Sequence, residues 1–188
     1  MSTPSPWIVR WSHLLASGGT VLDLAAGSGR HALWLAGRGH PVTAVDRDAA
    51  AMAPLAGHAE VIVADLEGGP WPLAGRRFDA VVVANYLWRP LLPALVDALG
   101  EGGVLLYETF AAGQASVGRP RRPEFLLGPG ELLNAVAGLR IVVFEDGFLS
   151  DPERFVQRVA AVREAPGGAP VRYPLARVGG AGRDGPDR

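Results

Sequence analysis

Three aspartates, Asp23, Asp46 and Asp65, each close a short apolar run, and a turn of small residues, Ala25-Ala26-Gly27-Ser28-Gly29-Arg30, follows the first. Small residues at 25, 27 and 29 let the backbone turn sharply and let a ligand approach it closely. Gly27 to Ala32 also fits G-x-G-x-x-A, a dinucleotide fingerprint that is weak on its own. The carboxylates separate the possible cofactors. A pyrophosphate over this turn would be repelled by a buried Asp23, whereas a cation would be attracted. S-adenosylmethionine carries a sulfonium and an ammonium and no phosphate. Asp46 suits the two hydroxyls of an adenosine ribose, and Asp65 can accept from an adenine amino group. Each aspartate also has a plain reading, as an N-cap or a turn former.

A second set of residues could face a second ligand beside the cofactor. Trp7, Arg10 and Trp11 have the spacing of one helix face and could lid the cofactor. Asn85, Tyr86 and Arg89 follow an apolar run, Phe78 to Ala84, at the point where a ligand would border it. Glu108 ends another run and could act as a base or a cation contact. Arg119, with Arg121 and Arg122, gives a loop positive charge that could hold an anionic acceptor. The plain readings are a packed amphipathic helix, aromatics at a sheet edge, a strand-end carboxylate and a solvated loop. His13, His31, His40 and His58 lack metal-ligand spacing, so no metal site is expected.

Composition removes other chemistries. The chain has 188 residues, no cysteine, and 18 basic residues, all of them arginine. A P-loop lysine, a Schiff base and a cysteine nucleophile are therefore excluded. The formal net charge is −1, without the basic surplus of a general nucleic-acid binder. No apolar run is long enough to span a membrane, and no secretory signal is evident. The expectation is a soluble cytoplasmic protein that takes a small-molecule acceptor.

The elements that position these residues alternate. Strands are expected at 20–24, 41–45, 60–64, 78–84, 103–109, 140–144 and 154–163. Helices are expected at 30–38, 47–56, 90–99 and 129–137, with Leu33, Leu35 and Ala36 facing inward on the first. In the third, Leu91, Leu95 and Leu99 would share a face and Gly100 would cap the end. Such alternation predicts a parallel sheet with helices on both faces and ligands at the carboxyl ends of the strands. The turn Ser150-Asp151-Pro152 is short enough to make the last strand antiparallel. Residues 1–164 form one domain in this reading. Residues 165–188, rich in Gly and Pro, form a mostly disordered tail.

These residues resemble the class I S-adenosylmethionine-dependent methyltransferases. The first motif of that family reads here Asp23-x-Ala25-x-Gly27-x-Gly29, with alanine where the first glycine often stands. Asp46 and Asp65 match its second and third strand ends. Phe78 to Asn85 match its fourth strand, and Leu99 to Leu105 its turn into the fifth. The resemblance spans about residues 20–163. It implies an α/β, Rossmann-like, doubly wound sheet of seven strands in the order 3-2-1-4-5-7-6, with strand seven antiparallel. The implied cofactor is S-adenosylmethionine, with S-adenosylhomocysteine as product. Its expected contacts are Asp23, Ala25, Gly27, Gly29, Arg30, Asp46, Arg47, Asp65, Leu66 and Asn85. Within the class, Gly29-Arg30-His31, Pro129 to Leu133 and Val143 to Gly147 are similar to the tellurite-resistance methyltransferase-like group. The His/Arg segment that follows the Glu-Asp strand in that group has no histidine counterpart in Phe148 to Arg158. Methyl transfer from a sulfonium needs mainly orientation, which can supply roughly 7–11 kcal/mol. A nicotinamide-dependent oxidoreductase and a catalytically silent cofactor-binding protein are the competing readings.

Overall fold

The computed structural model describes residues 3–175. Seven strands form one sheet in the order β3-β2-β1-β4-β5-β7-β6. They are β1 (Val21–Leu24), β2 (Val42–Asp46), β3 (Glu60–Val63), β4 (Phe78–Ala84), β5 (Leu99–Phe110), β6 (Arg140–Ser150) and β7 (Glu153–Val162). The first five run parallel. β7 is antiparallel to both its neighbours. The expected order and the reversed last strand are both present.

Strand alternation sorts the core into two layers. Leu22, Leu24, Val81, Val83, Leu105 and Tyr107 face one side, where Leu91, Leu95 and Leu132 cover them. Val21, Ala44, Val82, Val104 and Leu106 face the other, beneath Trp7, Ile8, Trp11, Ala32 and Leu35. Runs such as Val81-Val82-Val83 are buried on both sides, as a central parallel strand requires. The second layer is carried by α1 (Pro6–Trp11) and α2 (Arg30–Ala36), the first by α3 (Leu92–Asp97) and α4 (Glu131–Ala135).

Several helices differ from expectation. Residues 47–56 hold turns and one short 3-10 segment, Ala53–Leu55. Asp46 and Asp48 accept from the backbone N–H groups of Asp48 and Ala51, and these local bonds compete with a helix. α3 ends at Asp97, because the Phe78 N–H donates to the Ala98 carbonyl and draws Leu99 into β5. Gly100 therefore lies in a strand and caps nothing. On α2 the buried residues are His31, Ala32 and Leu35, while Leu33 and Ala36 are half-buried. β6 runs six residues past the expected strand end, to Ser150, and forms a long hairpin with β7.

The loop between β5 and β6 is pinned at both ends. Ala111 bridges to Leu127, and Gln114 accepts from the Phe155 N–H and donates to the Arg119 carbonyl. Residues 165–175 carry no helix or strand, yet His13 Nε2 lies 2.9 Å from the Pro174 carbonyl and Tyr173 packs on the second layer. The rest of the expected tail, 176–188, lies outside the described residues.

Candidate functional site

The turn after β1 is built by its small residues. Gly27 takes φ +56°, and a Cβ added there would meet nothing within 4 Å, so the surface above it is open. Gly29 takes φ +74°, and a Cβ there would come within 2.5 Å of Leu55 Cδ2. Glycine is required at 29 by packing as well as by conformation. Ala25 adopts φ +52° although it carries a side chain, and Asn85 across the cleft adopts φ +57°. Left-handed conformations in L-residues concentrate at binding sites, where surrounding structure enforces them.

Two clefts meet at these strained residues. The first, of about 310 Å³, is lined by Ala25, Asp46, Arg47, Ala64, Asp65, Leu66, Glu67, Asn85 and Tyr86. The second, of about 330 Å³, is lined by Ala25, Ala26, Gly27, Ser28, Arg30, His31, Ala84 and Asn85. Both open at the carboxyl ends of β1 and β4, where the strand order reverses and such sheets bind ligands.

The carboxylates of the first cleft are held by nearby backbone. Asp46 Oδ2 accepts from the Gly27 N–H at 2.8 Å and Oδ1 from the Asp48 N–H at 3.0 Å. Asp65 Oδ1 accepts from the Glu67 N–H at 3.0 Å. Backbone N–H groups of Glu67 and Gly68 hold the Asp65 carboxyl below its ordinary range. An ionised carboxylate has about four acceptor sites, so each keeps lone pairs for a ligand. Three carboxylates and one guanidinium line this cleft, a formal charge of −2. Tyr86 lines this cleft too, beside Asp65 and Glu67. Its hydroxyl is buried without a partner, and burial pushes its pKa up.

Beneath the turn, Asp23 is 1% exposed and lines neither cleft. Its Oδ2 accepts from the Ala32 N–H at 2.9 Å, tying β1 to α2. Burial pushes its pKa up to about 7, against the pull of that bond and of Arg30. A cation near the turn would relieve the burial of this carboxylate. His31 is driven the other way, down to about 4, by burial and then by Arg30. It is a neutral imidazole whose Nε2 accepts from the Ser5 N–H at 3.1 Å.

The remaining expected residues separate. Trp7 and Trp11 are buried under α1, while Arg10 is exposed and sits over the Trp11 ring at 5.1 Å. Arg89 is committed to the fold: it pairs with Glu131 and donates to the carbonyls of Glu124 and Leu126. Arg119 is exposed and lines neither cleft. Arg122 pairs with Glu124. Glu108 is 1% exposed and bonds Arg158, which also bonds Glu145. Sequence reasoning missed Glu67, Ser28 and Ala84 as lining residues. The position of each immediately beside or within a motif was the available signal.

This sheet and cleft define the class I methyltransferase architecture. Residues 21–103 match the family described as a methyltransferase domain. That match covers less than half of the chain; the fold is that of the class I methyltransferases, a class whose cofactor is S-adenosylmethionine. Solved structures agree on the fold. TehB from Haemophilus influenzae has a TM-score of 0.72 at 18% identity, over 87% of this chain and 64% of that one. This chain therefore spans less than two thirds of that relative. A TehB-like S-adenosylmethionine-dependent methyltransferase from Corynebacterium glutamicum has a TM-score of 0.60 at 21% identity, covering 83% and 86%. An S-adenosylmethionine-dependent methyltransferase from Methanosarcina mazei has a TM-score of 0.66 at 18% identity, covering 87% and 99%. A comparison with proteins of curated function gives no significant match. No helix among the described residues is long and apolar enough to cross a membrane.

Proposed function

We propose that this protein transfers a methyl group from S-adenosylmethionine to a small-molecule acceptor. The observation that carries the reading is the acidic first cleft joined at Ala25 and Asn85 to a second cleft beside Arg30 and His31. In this reading the adenosine lies in the first cleft. Asp46 accepts from the ribose hydroxyls, and Asp65 accepts from the adenine amino group. Arg47 and Leu66 flank the nucleoside. The methionine part lies over Gly27 and Gly29, with Arg30 available to its carboxylate and Asp23 providing a negative field for its ammonium.

When bound, the cofactor supplies an electrophilic methyl on a sulfonium, a leaving group already activated. The chain's part is to orient the acceptor and exclude water, the effects of proximity. The competing oxidoreductase reading puts a pyrophosphate over the Gly27–Gly29 turn, directly above the buried carboxyl of Asp23, which opposes it.

Calorimetric titration of S-adenosylhomocysteine and of NAD tests the assignment. The expected result is S-adenosylhomocysteine binding and no NAD binding. Asp46→Ala should weaken S-adenosylhomocysteine at least tenfold, about 1.4 kcal/mol. NAD binding in place of S-adenosylhomocysteine, or an unchanged dissociation constant in Asp46→Ala, overturns the reading.

A further inference from the structure

The segment after β7 is held in place without belonging to any helix or strand. β7 ends at Val162 opposite Val104, at the amino end of the parallel strands, far from the two clefts. The chain then turns: Gly167 takes φ +71° and the Gly168 N–H donates to the Ala165 carbonyl. Tyr173 packs on the second layer, and its hydroxyl bonds the Glu164 carboxylate. Residues 164–173 thus form an arch over a cavity of about 290 Å³, lined in part by Arg140, Glu164 and Val171.

The far foot of this arch rests on one side chain from the other end of the sequence. His13 lies in the 3-10 turn Ser12–Leu14 that follows α1. Its Nδ1 is 2.8 Å from the Arg10 carbonyl oxygen, and its Nε2 is 2.9 Å from the Pro174 carbonyl oxygen. Both partners are carbonyls, which only accept. A neutral imidazole has one N–H, so it satisfies one carbonyl and turns a lone pair toward the other. An imidazolium has two N–H groups and satisfies both.

The surroundings act on that charge in both directions. The Arg10 carbonyl belongs to the last turn of α1, where the negative end of a helix favours a cation. The Trp11 ring centre lies 5.7 Å from the His13 ring, close enough for an indole face to attract a cation. Arg10 opposes it from α1, sitting over the same indole at 5.1 Å. Arg172 opposes it from the arch and Arg140 from β6, while Glu164 offsets one of these charges. All three arginines are exposed, so solvent and salt screen them. The two carbonyls touch the ring and are not screened in this way.

We propose that His13 is a pH-operated latch for the C-terminal segment. As the imidazolium it donates to both carbonyls and holds residues 165–175 against the end of α1. On losing its proton it keeps one bond, faces the other carbonyl with a lone pair, and the arch opens. An imidazole changes charge between about pH 5 and 8, so the latch is closed on the acid side of that range and open on the alkaline side. Closing takes up a proton. The helix it grips is the one whose other end meets the second cleft, where the Ser5 N–H donates to His31.

Trypsin tests the latch on the full chain. Tyr173 must leave its packing before the Arg172–Tyr173 bond can be cut, so the rate of that cut follows the open fraction. Fragments beginning at Tyr173 are counted by mass at pH 5.5 and pH 8. The cut after Arg121, in the exposed loop between β5 and β6, is the reference for trypsin activity at each pH. Relative to that reference, the parent should be cut about three- to tenfold more slowly at pH 5.5 than at pH 8, the worth of one hydrogen bond to a charged group at an exposed site. His13→Gln keeps an amide donor that does not titrate, and its two relative rates should agree within twofold. His13→Ala, with no donor, should be cut at both pH values as fast as the parent at pH 8. His58→Gln, a histidine away from the arch, should keep the parent profile. A parent with equal rates at the two pH values, or a faster cut at pH 5.5, overturns the proposal. So does a His13→Gln variant that keeps the parent's pH dependence.

Discussion

The two halves of the sheet hold their carboxylates by opposite means. At the tips of β2 and β3, Asp46 and Asp65 are fixed by backbone N–H groups, and their free lone pairs face an open cleft. On β5, Glu108 is fixed by a guanidinium 50 residues away and sealed from solvent. The first arrangement is a receptor that water can fill when no ligand is present, so its charges cost little to keep. The second is dry, and each charge depends on its partner. On the proposed reading, cofactor binding is local and tolerant of change, while the buried Glu108–Arg158 pair is tied to the stability of the domain.

The largest expected effect follows from that contrast. Arg158→Ala leaves Glu108 as an unpaired buried charge, and breaking such a pair costs about 3–5 kcal/mol. Thermal melting should show a drop of about 6 °C or more, from 2–4 °C per kcal/mol for a chain of this size. Arg76→Ala breaks the exposed pair with Glu60 at the other end of the sheet. Pairs of that kind contribute about 0.2–1 kcal/mol, so its melting shift should be several times smaller. Replacing both buried partners, Arg158→Met with Glu108→Gln, should recover much of the loss. Equal shifts for the two arginines would remove the distinction between the halves.

The same contrast decides what was legible beforehand. The antiparallel β7 could be read because a tight Ser-Asp-Pro turn is a local signal, and the strand order followed from the resemblance that the strand-end aspartates and glycine turn carry. Asp46 could be read for the same reason, since its anchor, Gly27, belongs to the neighbouring motif. Arg158 and Glu145 could not, because their meeting with Glu108 depends on the register of three strands. The sequence offers both Arg89, past the fourth strand, and Arg119, in a basic loop, as acceptor contacts. Tertiary contacts with Glu131 and two carbonyls tie Arg89 to the fold and leave Arg119 at the surface. The helix expected over 47–56 reduces to turns and a 3-10 segment, where Pro54 has no N–H to donate.

A smaller effect belongs to Asp23, the one buried carboxylate of the cofactor half. Its folded pKa of about 7 lies above its ordinary value of 3.8. Between those values the folded state binds more protons than the unfolded one. Stability is therefore lost as pH rises from about 4 through 7. His31 acts with the opposite sign: its pKa falls from 6.5 to about 4, so stability is lost as pH falls through that window. A cationic ligand favours ionised Asp23 and so releases a proton on binding near neutrality. S-adenosylhomocysteine, through its ammonium, should bind roughly five- to tenfold more weakly at pH 6 than at pH 7.5. Calorimetry in two buffers of different ionisation heat should record the proton. Asp23→Asn should flatten the pH dependence and abolish the release. A parent protein with flat binding across this range would separate Asp23 from the ligand's charge.

The smallest expected effect probes how the receptor half keeps its shape. Ala25 sits at φ +52°, a conformation that costs an L-residue roughly 1 kcal/mol and glycine almost nothing. Ala25→Gly removes that strain but also loosens the unfolded chain, which offsets part of the gain. The net expectation is stabilisation of at most about 0.6 kcal/mol, a rise in melting temperature of no more than about 2 °C. Because Asp46 holds the turn through Gly27 and not through residue 25, S-adenosylhomocysteine affinity should stay within twofold. A loss of affinity with unchanged stability would mean that the alanine methyl packs on the ligand. The turn would then owe its shape to contact with the cofactor as well as to its own backbone bonds.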